Sequence, residues 1–549
     1  MMDPVNERSE AFAKLCLQKF EEMKATRATR EPELQMICDY IFPRRDFSLT
    51  KEPQALRTRK LMDTTGMIAH ERLAATIYGY MLSPHSPWTM PSLLERDATY
   101  EEDAWFDHVS RRNHTWFGSA SNTFRVCMAE DSLDITGLGT SVSWEDMGPR
   151  GPVYISIPLR QCYWLEDENG TIDTLHRFYQ MTLRRAILKW PDSPGLQEMM
   201  TKTERPESQM VDILHVVEPR ENGVRGSVRD RKPWRDVNVL VDKTEVLEVG
   251  GHERFKYNVG RFQKRSGDPL GYGAAWKAMP LCKLASAAME AWVRNAEKAA
   301  DPAKWTLLPR STSFDRRPGA MNYPNAMTAF GLRDASKLIQ NLDEGGNTQV
   351  AVEMLMHIHT KIEQAFYVDW LTPGEGPQKT ATEVYDLRDM RLRTMGPIVA
   401  RLEHEKLNTT VENTFEYLQG MGYYDPPPAS LDKQMISFEF RGPLATSQRQ
   451  GEAEGIMRAL ESAAQVAQLD PDVLLLFKGA DTTRRLVDAY GMDGDLLNSP
   501  EVYEEKRAKQ AEVGQMQQEM MATQAAATAL RDGAQGVASL QGAQGGAAA

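Results

Sequence analysis

A chain of 549 residues, 41% apolar and 26% charged, is too long for one hydrophobic core and should divide into roughly three or four domains. Its formal charge of -12 excludes a protein that grips nucleic acid along a broad basic surface, since non-specific affinity comes from neutralising phosphates, but not one past which DNA slides. Its 5 cysteines are odd in number, far apart and without a Cys-x-x-Cys pair, which indicates neither a disulfide framework nor a zinc site and fits a reducing cytoplasm.

Met1 to Glu10 carries Asp3, Glu7, Arg8 and Glu10 and does not read as a secretory signal. The longest apolar runs, such as Val473 to Phe477, fall far short of the roughly 20 residues of a spanning helix, so no membrane is expected. A charged helical pattern runs from Glu7 to Arg30, and a second short helix stops at Tyr40-Ile41-Phe42-Pro43. Asp63-Thr64-Thr65 offers N-cap residues for a helix with the stripe Ala69, Leu73, Ile77 and Tyr80, ending at Ser83-Pro84. A helical stretch from about Glu101 to Asp131 holds Trp105, Phe106, Trp116, Phe117 and Phe124, enough aromatic surface for a core element.

Strand chemistry begins near Val153 to Pro158. Asn169-Gly170 then lies between Gln161 to Leu165 and Thr171 to Leu175, a strong hairpin signal. Further strands are expected at Val211 to Val217, Val237 to Val241 and Glu245 to Val249, punctuated by Asn222-Gly223 and Gly250-Gly251. Helical periodicity returns after Met279-Pro280, with proline suited to a first helical position and a stripe of Leu281, Leu284, Ala288 and Trp292. Pro302 ends this rod. The insert from Pro302 to Asn347 reads as a small β-containing domain whose ends lie close together.

A further helix, about Thr348 to Trp370, shows Ala351, Leu355, Ile358, Ile362 and Phe366 on one face. Thr372-Pro373-Gly374-Glu375-Gly376-Pro377-Gln378-Lys379 cannot continue it and makes an exposed loop. A third long helix starts near Thr380, carries Met395, Ile398, Leu402, Leu407, Val411, Phe415 and Leu418, and should kink at Pro397. One strand, Met435 to Phe440, is followed by short helices from about Gln448 to Tyr490 and a last one opened by Ser499-Pro500. The tail from Gly533 to Ala549 is too poor in apolar residues to fold alone. The fold class is α+β, mainly helical.

No cofactor, metal or catalytic constellation is indicated. Gly271 to Lys277 looks like a phosphate loop, but Trp276 stands where glycine is needed and Ala278 where magnesium needs Ser or Thr. Gly137 to Val142 lacks the third glycine of a dinucleotide fingerprint and reads as a turn. His357 and His359, two apart on a helix, point in different directions and read as solvated or core residues. Glu166-Asp167-Glu168 reads as a polar turn flank. The basic residues placed to touch nucleic acid are Arg310, Arg316 and Arg317 in the insert and Lys277, Lys283, Arg294 and Lys298 by or on the first rod. An ordinary solvated helix face explains the rod residues equally well.

The order of these elements resembles the head-to-tail connector, or portal, proteins of short-tailed bacteriophages. The resemblance rests on Tyr40-Ile41-Phe42-Pro43, Asp63-Thr64-Thr65 with its helix to Ser83-Pro84 and Trp88, Asp134-Ile135-Thr136-Gly137-Leu138-Gly139, and Ile157-Pro158 with Asn169-Gly170. It continues through Gly271-Tyr272-Gly273, Trp276 to Pro280, Thr380-Ala381-Thr382-Glu383-Val384, and Gly442-Pro443-Leu444-Ala445 with Gln448-Arg449, covering the chain to about Glu505.

The resemblance implies a homododecameric ring at one capsid vertex of the virion, assembled in the host cytoplasm. Its implied partners are double-stranded DNA, a terminase-type packaging motor, tail and adaptor proteins, and capsid and scaffolding proteins. Residues 1–270 would be a mixed α/β wing, 271–301 and 348–371 the stem helices, 302–347 the clip, and 372–379 the tunnel loop. Residues 380–447 would return to the wing, 448–498 would form the crown, and 499–549 a C-terminal helix and tail. Within the clip, Trp305, Arg310, Phe314, Arg316 and Arg317 would meet motor and tail, and Lys379 would be the tunnel-loop cation. Two other classes are weighed against this one. An ATP-driven packaging enzyme would need the phosphate loop that fails here, and a helical scaffold unrelated to DNA would lack an axial channel.

Overall fold

The Ser9 hydroxyl accepts from the Phe12 amide at 3.2 Å and starts α1 (Glu10–Ala28), and a proline in its first turn starts α2 (Glu31–Tyr40). The computed structural model describes residues 9–43, 45, 61–83, 86–96, 98–220, 232–300, 304–306, 339–341, 348–368, 394–431, 434–441, 443–466, 476–477, 479–489 and 500–544. Before α3 (Thr65–Met81), whose N-cap is Thr64, Asp63 Oδ1 accepts from the Thr65 amide at 2.9 Å and the Thr65 hydroxyl at 2.7 Å. Ala69, Leu73 and Ile77 are buried as expected, with Met81 rather than Tyr80 completing the stripe.

After β1 (Thr89–Leu93), the aromatic stretch expected as one helix is two, α4 (Tyr100–Gly118) and α5 (Phe124–Gly137). Local side-chain bonds break the helix between them: Ser119 Oγ accepts from the Ser121 amide at 3.2 Å and Asn122 Oδ1 from the Phe124 amide at 3.1 Å. Trp88, Phe117 and Phe124 nevertheless form one buried ring cluster, with Phe117 and Phe124 centroids 4.3 Å apart.

The chain then forms β2 (Thr140–Gly148), β3 (Gly151–Ile157), β4 (Cys162–Glu166) and β5 (Ile172–Thr182). Two short helices follow, α6 (Leu183–Lys189) and α7 (Pro194–Lys202), before β6 (Met210–Pro219), β7 (Trp234–Leu240), β8 (Glu245–His252) and β9 (Tyr257–Arg261). One antiparallel sheet has the order β4-β5-β6-β7-β8 and another β3-β2-β9. The Asn169-Gly170 hairpin is present, with Gly170 at a φ of 78°. Gly250 and Gly251, expected to punctuate strands, instead lie inside β8, paired with Asp236 and Arg235.

Period-two alternation gives the larger sheet two different faces. Leu214, Val216, Val237 and Val239 pack against Phe12, Cys16, Phe20 and Met23 of α1. On the opposite face, Ile213 and Leu240 pack with Leu183, Ala186, Trp190 and Leu196 of α6, α7 and their connection.

Further along are α8 (Ala274–Ala300), β10 (Lys304–Thr306), β11 (Ile339–Asn341) and α9 (Thr348–Ala365). A helix over residues 394–402 runs through a π turn at Glu403–Leu407 into α10 (Asn408–Gly420). Then come β12 (Ile436–Phe440), which pairs with β1, α11 (Pro443–Val466), α12 (Gly479–Ala489) and α13 (Pro500–Gln544). The irregularity around Pro397 lies C-terminal to it, at the π turn. The tail expected to stay unfolded from Gly533 is helical through Gln544, because alanine and glutamine propagate a helix once it has started.

The architecture is α+β and mainly helical, and the chain divides into two compact units. Met1–Ser92, His108–Pro426 and Met435–Leu444 make the larger, and Leu93–Asp107, Pro427–Gln434 and Ala445–Ala549 the smaller. In the smaller unit, Arg96 grips Glu102 through two bonds of 2.7 and 2.6 Å. There α13 leaves Val513, Met516 and Met520 exposed.

Candidate functional site: the long helices and their anchors

The first long helix begins where two backbone segments cross almost in contact. A Cβ on Gly271 would lie 2.0 Å from the Gly139 carbonyl oxygen, and one on Gly139 would lie 2.3 Å from that of Gly271. Thr140 Oγ1 accepts from the Gly271 amide at 2.8 Å, and Trp276 Nε1 donates to the Leu138 carbonyl at 2.9 Å. The glycines of Gly271-Tyr272-Gly273 are therefore used for close packing, and the Gly271 amide already has a partner.

Helix α8 starts at Ala274, so Pro280 lies within it and not at its first position. Pro280 faces solvent, where water can reach the carbonyl it leaves without an amide partner. Ala278, Cys282, Ala285 and Ser286 form the buried face. Opposite Cys282 stands Gly66 of α3, whose Cβ would sit 2.5 Å from the Cys282 sulfur. The periodic stripe read from the sequence is a different one. Leu284 is 45% exposed and Leu281, Ala288 and Trp292 are only partly covered.

The antiparallel pairing of β10 with β11, Lys304 opposite Asn341, brings the chain back beside the end of α8, and α9 packs along α8. Ile358, Ile362 and Phe366 are buried, and the helix ends at Tyr367, whose φ is 60°. His359 Nε2 lies 2.8 Å from Asp63 Oδ2, so one carboxylate holds the first amide of α3 and the side of α9. His357 is exposed.

Of the expected site residues, Lys283 is exposed, and Arg294 is exposed and paired with Glu290 one turn earlier. Trp305 lies in β10 opposite Gln340. The Lys298 side chain, Arg310, Phe314, Arg316 and Arg317 lie outside the described residues, as do Thr372, Pro373, Gly374, Glu375, Gly376, Pro377, Gln378 and Lys379.

Further along, the π turn turns two charges inward that no motif or periodicity singles out. Glu405 binds Arg261 through contacts of 3.0 and 2.8 Å, and Lys406 Nζ lies 2.8 Å from Asp131 Oδ2 and 2.9 Å from Ser143 Oγ. Arg261 also pairs with Glu166, which Lys264 contacts at 2.8 Å. Glu166 is thus an ion-pair partner of a buried arginine and more than a turn flank. Asp167 does serve the turn, its Oδ1 accepting from the Asn169 and Thr171 amides at 2.9 and 2.8 Å.

All five cysteines are buried thiols, not paired in disulfides. Burial pushes the Cys162 and Cys282 thiols up to about 12, so neither is a nucleophile near neutrality. Among the described residues no cluster of three metal-ligating side chains occurs, and no helix is long and apolar enough to cross a membrane.

A chain built of long paired helices carried on an α/β body, with its polar interior given to ion pairs, is a structural component. The profile of the bacteriophage head to tail connecting protein family matches residues 13–497, and the chain belongs to that family. It is 26% identical over 541 residues to the probable portal protein of Bordetella phage BPP-1, covering 95% of each chain. It is 22% identical over 523 residues to the portal protein of Salmonella phage epsilon15, covering 91% of this chain and 92% of the other. Its role is that of a structural portal, a virion component whose function implies self-association and contact with capsid and tail.

Proposed function

We propose that twelve copies form a ring at one capsid vertex, through which a terminase-type motor drives double-stranded DNA inward and through which DNA later leaves toward the tail. The carrying observation is the helix pair α8 and α9. It is anchored on one side by Cys282, Ile358, Ile362 and Phe366, while on another face of α8 Leu284 stays exposed and Leu281, Ala288 and Trp292 beside it are only partly covered in a single chain. A head-to-tail contact that closes by rotation needs two complementary patches on each copy, and an uncovered apolar helix face supplies one.

In this reading the two helices are the stem. Residues 302–347 are the clip that meets motor and tail through Trp305, Arg310, Phe314, Arg316 and Arg317, and 372–379 is the tunnel loop. The mixed body before Gly271 and the segment 380–447 form the wing, 448–498 the crown, and 499–549 the C-terminal helix and tail. Lys283, Arg294 and Lys298 face DNA from the stem. The net charge of -12 per chain suits a conduit that repels a polyanion, where a basic lining would hold it in a salt-dependent grip. In this reading Gly271 to Lys277 is not a nucleotide site, because Gly271 and Gly273 serve the crossing with Gly139. Negative-stain images of the purified chain, averaged rotationally, test the ring. Twelvefold rings with an axial hole are expected, and monomers or rings without a hole would overturn the proposal.

A further inference from the structure

One face of the five-stranded sheet carries a row of polar side chains across its middle, where an apolar row would be expected. Register places Arg177 opposite His215, His215 opposite Asn238, and Asn238 opposite Glu248, on four successive strands. His215 and Asn238 are buried. The apolar cluster of α6, α7 and their connection packs on Ile213 and Leu240 of this face, and it meets the row at Glu248, which takes a hydrogen bond from Trp190. The row lines a cavity of about 420 Å³, shared with Trp144, Lys189 and Lys256. Gly250, opposite Asp236, has no side chain to fill that space.

The acids of the wall already have donors. Asp236 Oδ1 lies 2.6 Å from His215 Nε2, and its Oδ2 lies 2.7 Å from His252 Nε2. His215 Nδ1 in turn lies 2.6 Å from the Tyr257 hydroxyl. Glu248 accepts from Trp190 Nε1 at 2.9 Å, and Asp146 pairs with Lys256. The cations are less completely matched. Arg177 donates through Nε to Gln161 Oε1 at 3.1 Å and stacks 4.6 Å from the Tyr179 ring, while Lys189 sits 4.5 Å from the Trp190 ring. Neither has a carboxylate partner among the described residues, nor does the Asn238 amide have a hydrogen-bond partner among them. A half-enclosed cavity with occupied acids, an unmatched guanidinium and an unengaged amide has the chemistry of an anion site, not of a cation site.

We propose that this cavity binds a phosphate-type oxyanion, with Arg177 as its principal ligand, Asn238 as a neutral donor and Lys189 at the mouth. The guanidinium presents a planar fork suited to two oxygens of one phosphate. This goes beyond the structural role and does not depend on ring order. The phosphate can come from a nucleic-acid backbone or from a free phosphate compound, and the two sources are separable by experiment.

The assembled protein is titrated calorimetrically with pyrophosphate, alone and in the presence of a short DNA duplex, in a chloride buffer free of phosphate. Saturable binding of one pyrophosphate per chain is expected, weakened about tenfold or more in Arg177→Gln, the loss of a charge-assisted pair. A second variant, Gly250→Leu, fills the cavity without removing a charge. A Cβ there would meet only ordinary contacts, the nearest at 3.6 Å from Asp236, so the strand accepts it. Displacement of pyrophosphate by the duplex assigns the site to backbone phosphate, and undisturbed binding assigns it to a free phosphate compound. No pyrophosphate binding, or binding unchanged in both variants with their unfolding midpoints intact, overturns the proposal.

Discussion

Lys406 and Asp131 form an ion pair with no exposed side-chain surface on either partner, Nζ to Oδ2 at 2.8 Å. Lys406 comes from the π turn that leads into α10 and Asp131 from α5, so the bond ties two distant parts of the larger unit. Its surroundings satisfy both groups: Ser143 Oγ and the Asn258 carbonyl accept from Lys406 at 2.9 and 3.3 Å, and Asp131 Oδ1 accepts from Ser156 Oγ at 2.8 Å. A π turn widens the helix by one residue, and here the widening presents adjacent Glu405 and Lys406 to separate partners on the body.

Breaking this pair on one side leaves a buried charge without a counterion. Lys406→Met is expected to destabilise the larger unit by about 3 to 5 kcal/mol, and Lys406→Met combined with Asp131→Asn by clearly less, because the orphaned carboxylate is gone. Urea unfolding followed by tryptophan fluorescence measures both. Equal losses in the single and double variants would show that packing, not charge, holds the turn.

Stability should fall as pH rises across neutrality. Burial pushes the Glu145 carboxyl up to about 8, against hydrogen bonds from Thr414 and Asn258, and the Asp134 carboxyl up to about 7, against the Arg45 guanidinium. The folded chain keeps protons that the unfolded chain begins to release near its ordinary carboxylate values. Stability from these two groups is complete below those values and is lost as pH rises through about 7 to 8. His70 and His176 act in the opposite sense. Burial lowers them to about 4 and about 3, so their contribution is present above the ordinary histidine value and is lost as pH falls through those points. Glu145→Gln should flatten the alkaline arm by about 1 to 2 kcal/mol. The new amide can pair with Asn258 Oδ1, which has no partner, once the Asn258 side chain turns over. Parallel stability curves for the variant and the parent between about pH 6 and 8.5 would refute the assignment.

Gly271→Ala should cost about 3 kcal/mol or more, since its methyl would fall 2.0 Å from the Gly139 carbonyl oxygen and neither backbone can retreat. Gly79→Ala in α3 is the control. Nothing lies within 4 Å of its Cβ, and alanine should match or slightly raise the unfolding midpoint. An unchanged midpoint for Gly271→Ala would mean that the crossing is looser than its geometry.

What was legible in the sequence was local. Asn169-Gly170 carries its own turn geometry, and Ala69, Leu73 and Ile77 carry their own periodicity. Strand β2 was missed because Thr140, Ser141, Ser143 and Glu145 are polar yet buried, which no alternation rule anticipates. Their partners, Lys406 for Ser143 and Thr414 for Glu145, arrive from far along the chain. Glu403-His404-Glu405-Lys406 likewise reads as a solvated helix face, and only the π turn aims Glu405 and Lys406 inward. The stripe of Leu281, Leu284, Ala288 and Trp292 was legible as periodicity, but the single chain buries the other face of α8, that of Ala278, Cys282 and Ala285.

That stripe provides the last prediction. Leu284 is 45% exposed in the single chain, whereas Cys282 and Ala285 on the other side of α8 are buried and hold the helix to α3. Leu284→Glu should therefore leave the fold intact, with unchanged helical circular dichroism and an unfolding midpoint close to the parent. In a ring, the same carboxylate would be buried against the neighbouring stem at a cost of several kcal/mol per contact, repeated at every interface around the circle. Size-exclusion chromatography with light scattering should then report monomers where the parent gives rings. Arg294→Ala, whose parent side chain is exposed and paired only with Glu290 one turn away, should leave rings unaffected. Rings of normal mass from Leu284→Glu would place the subunit contact elsewhere on the stem and remove α8's stripe from the assembly.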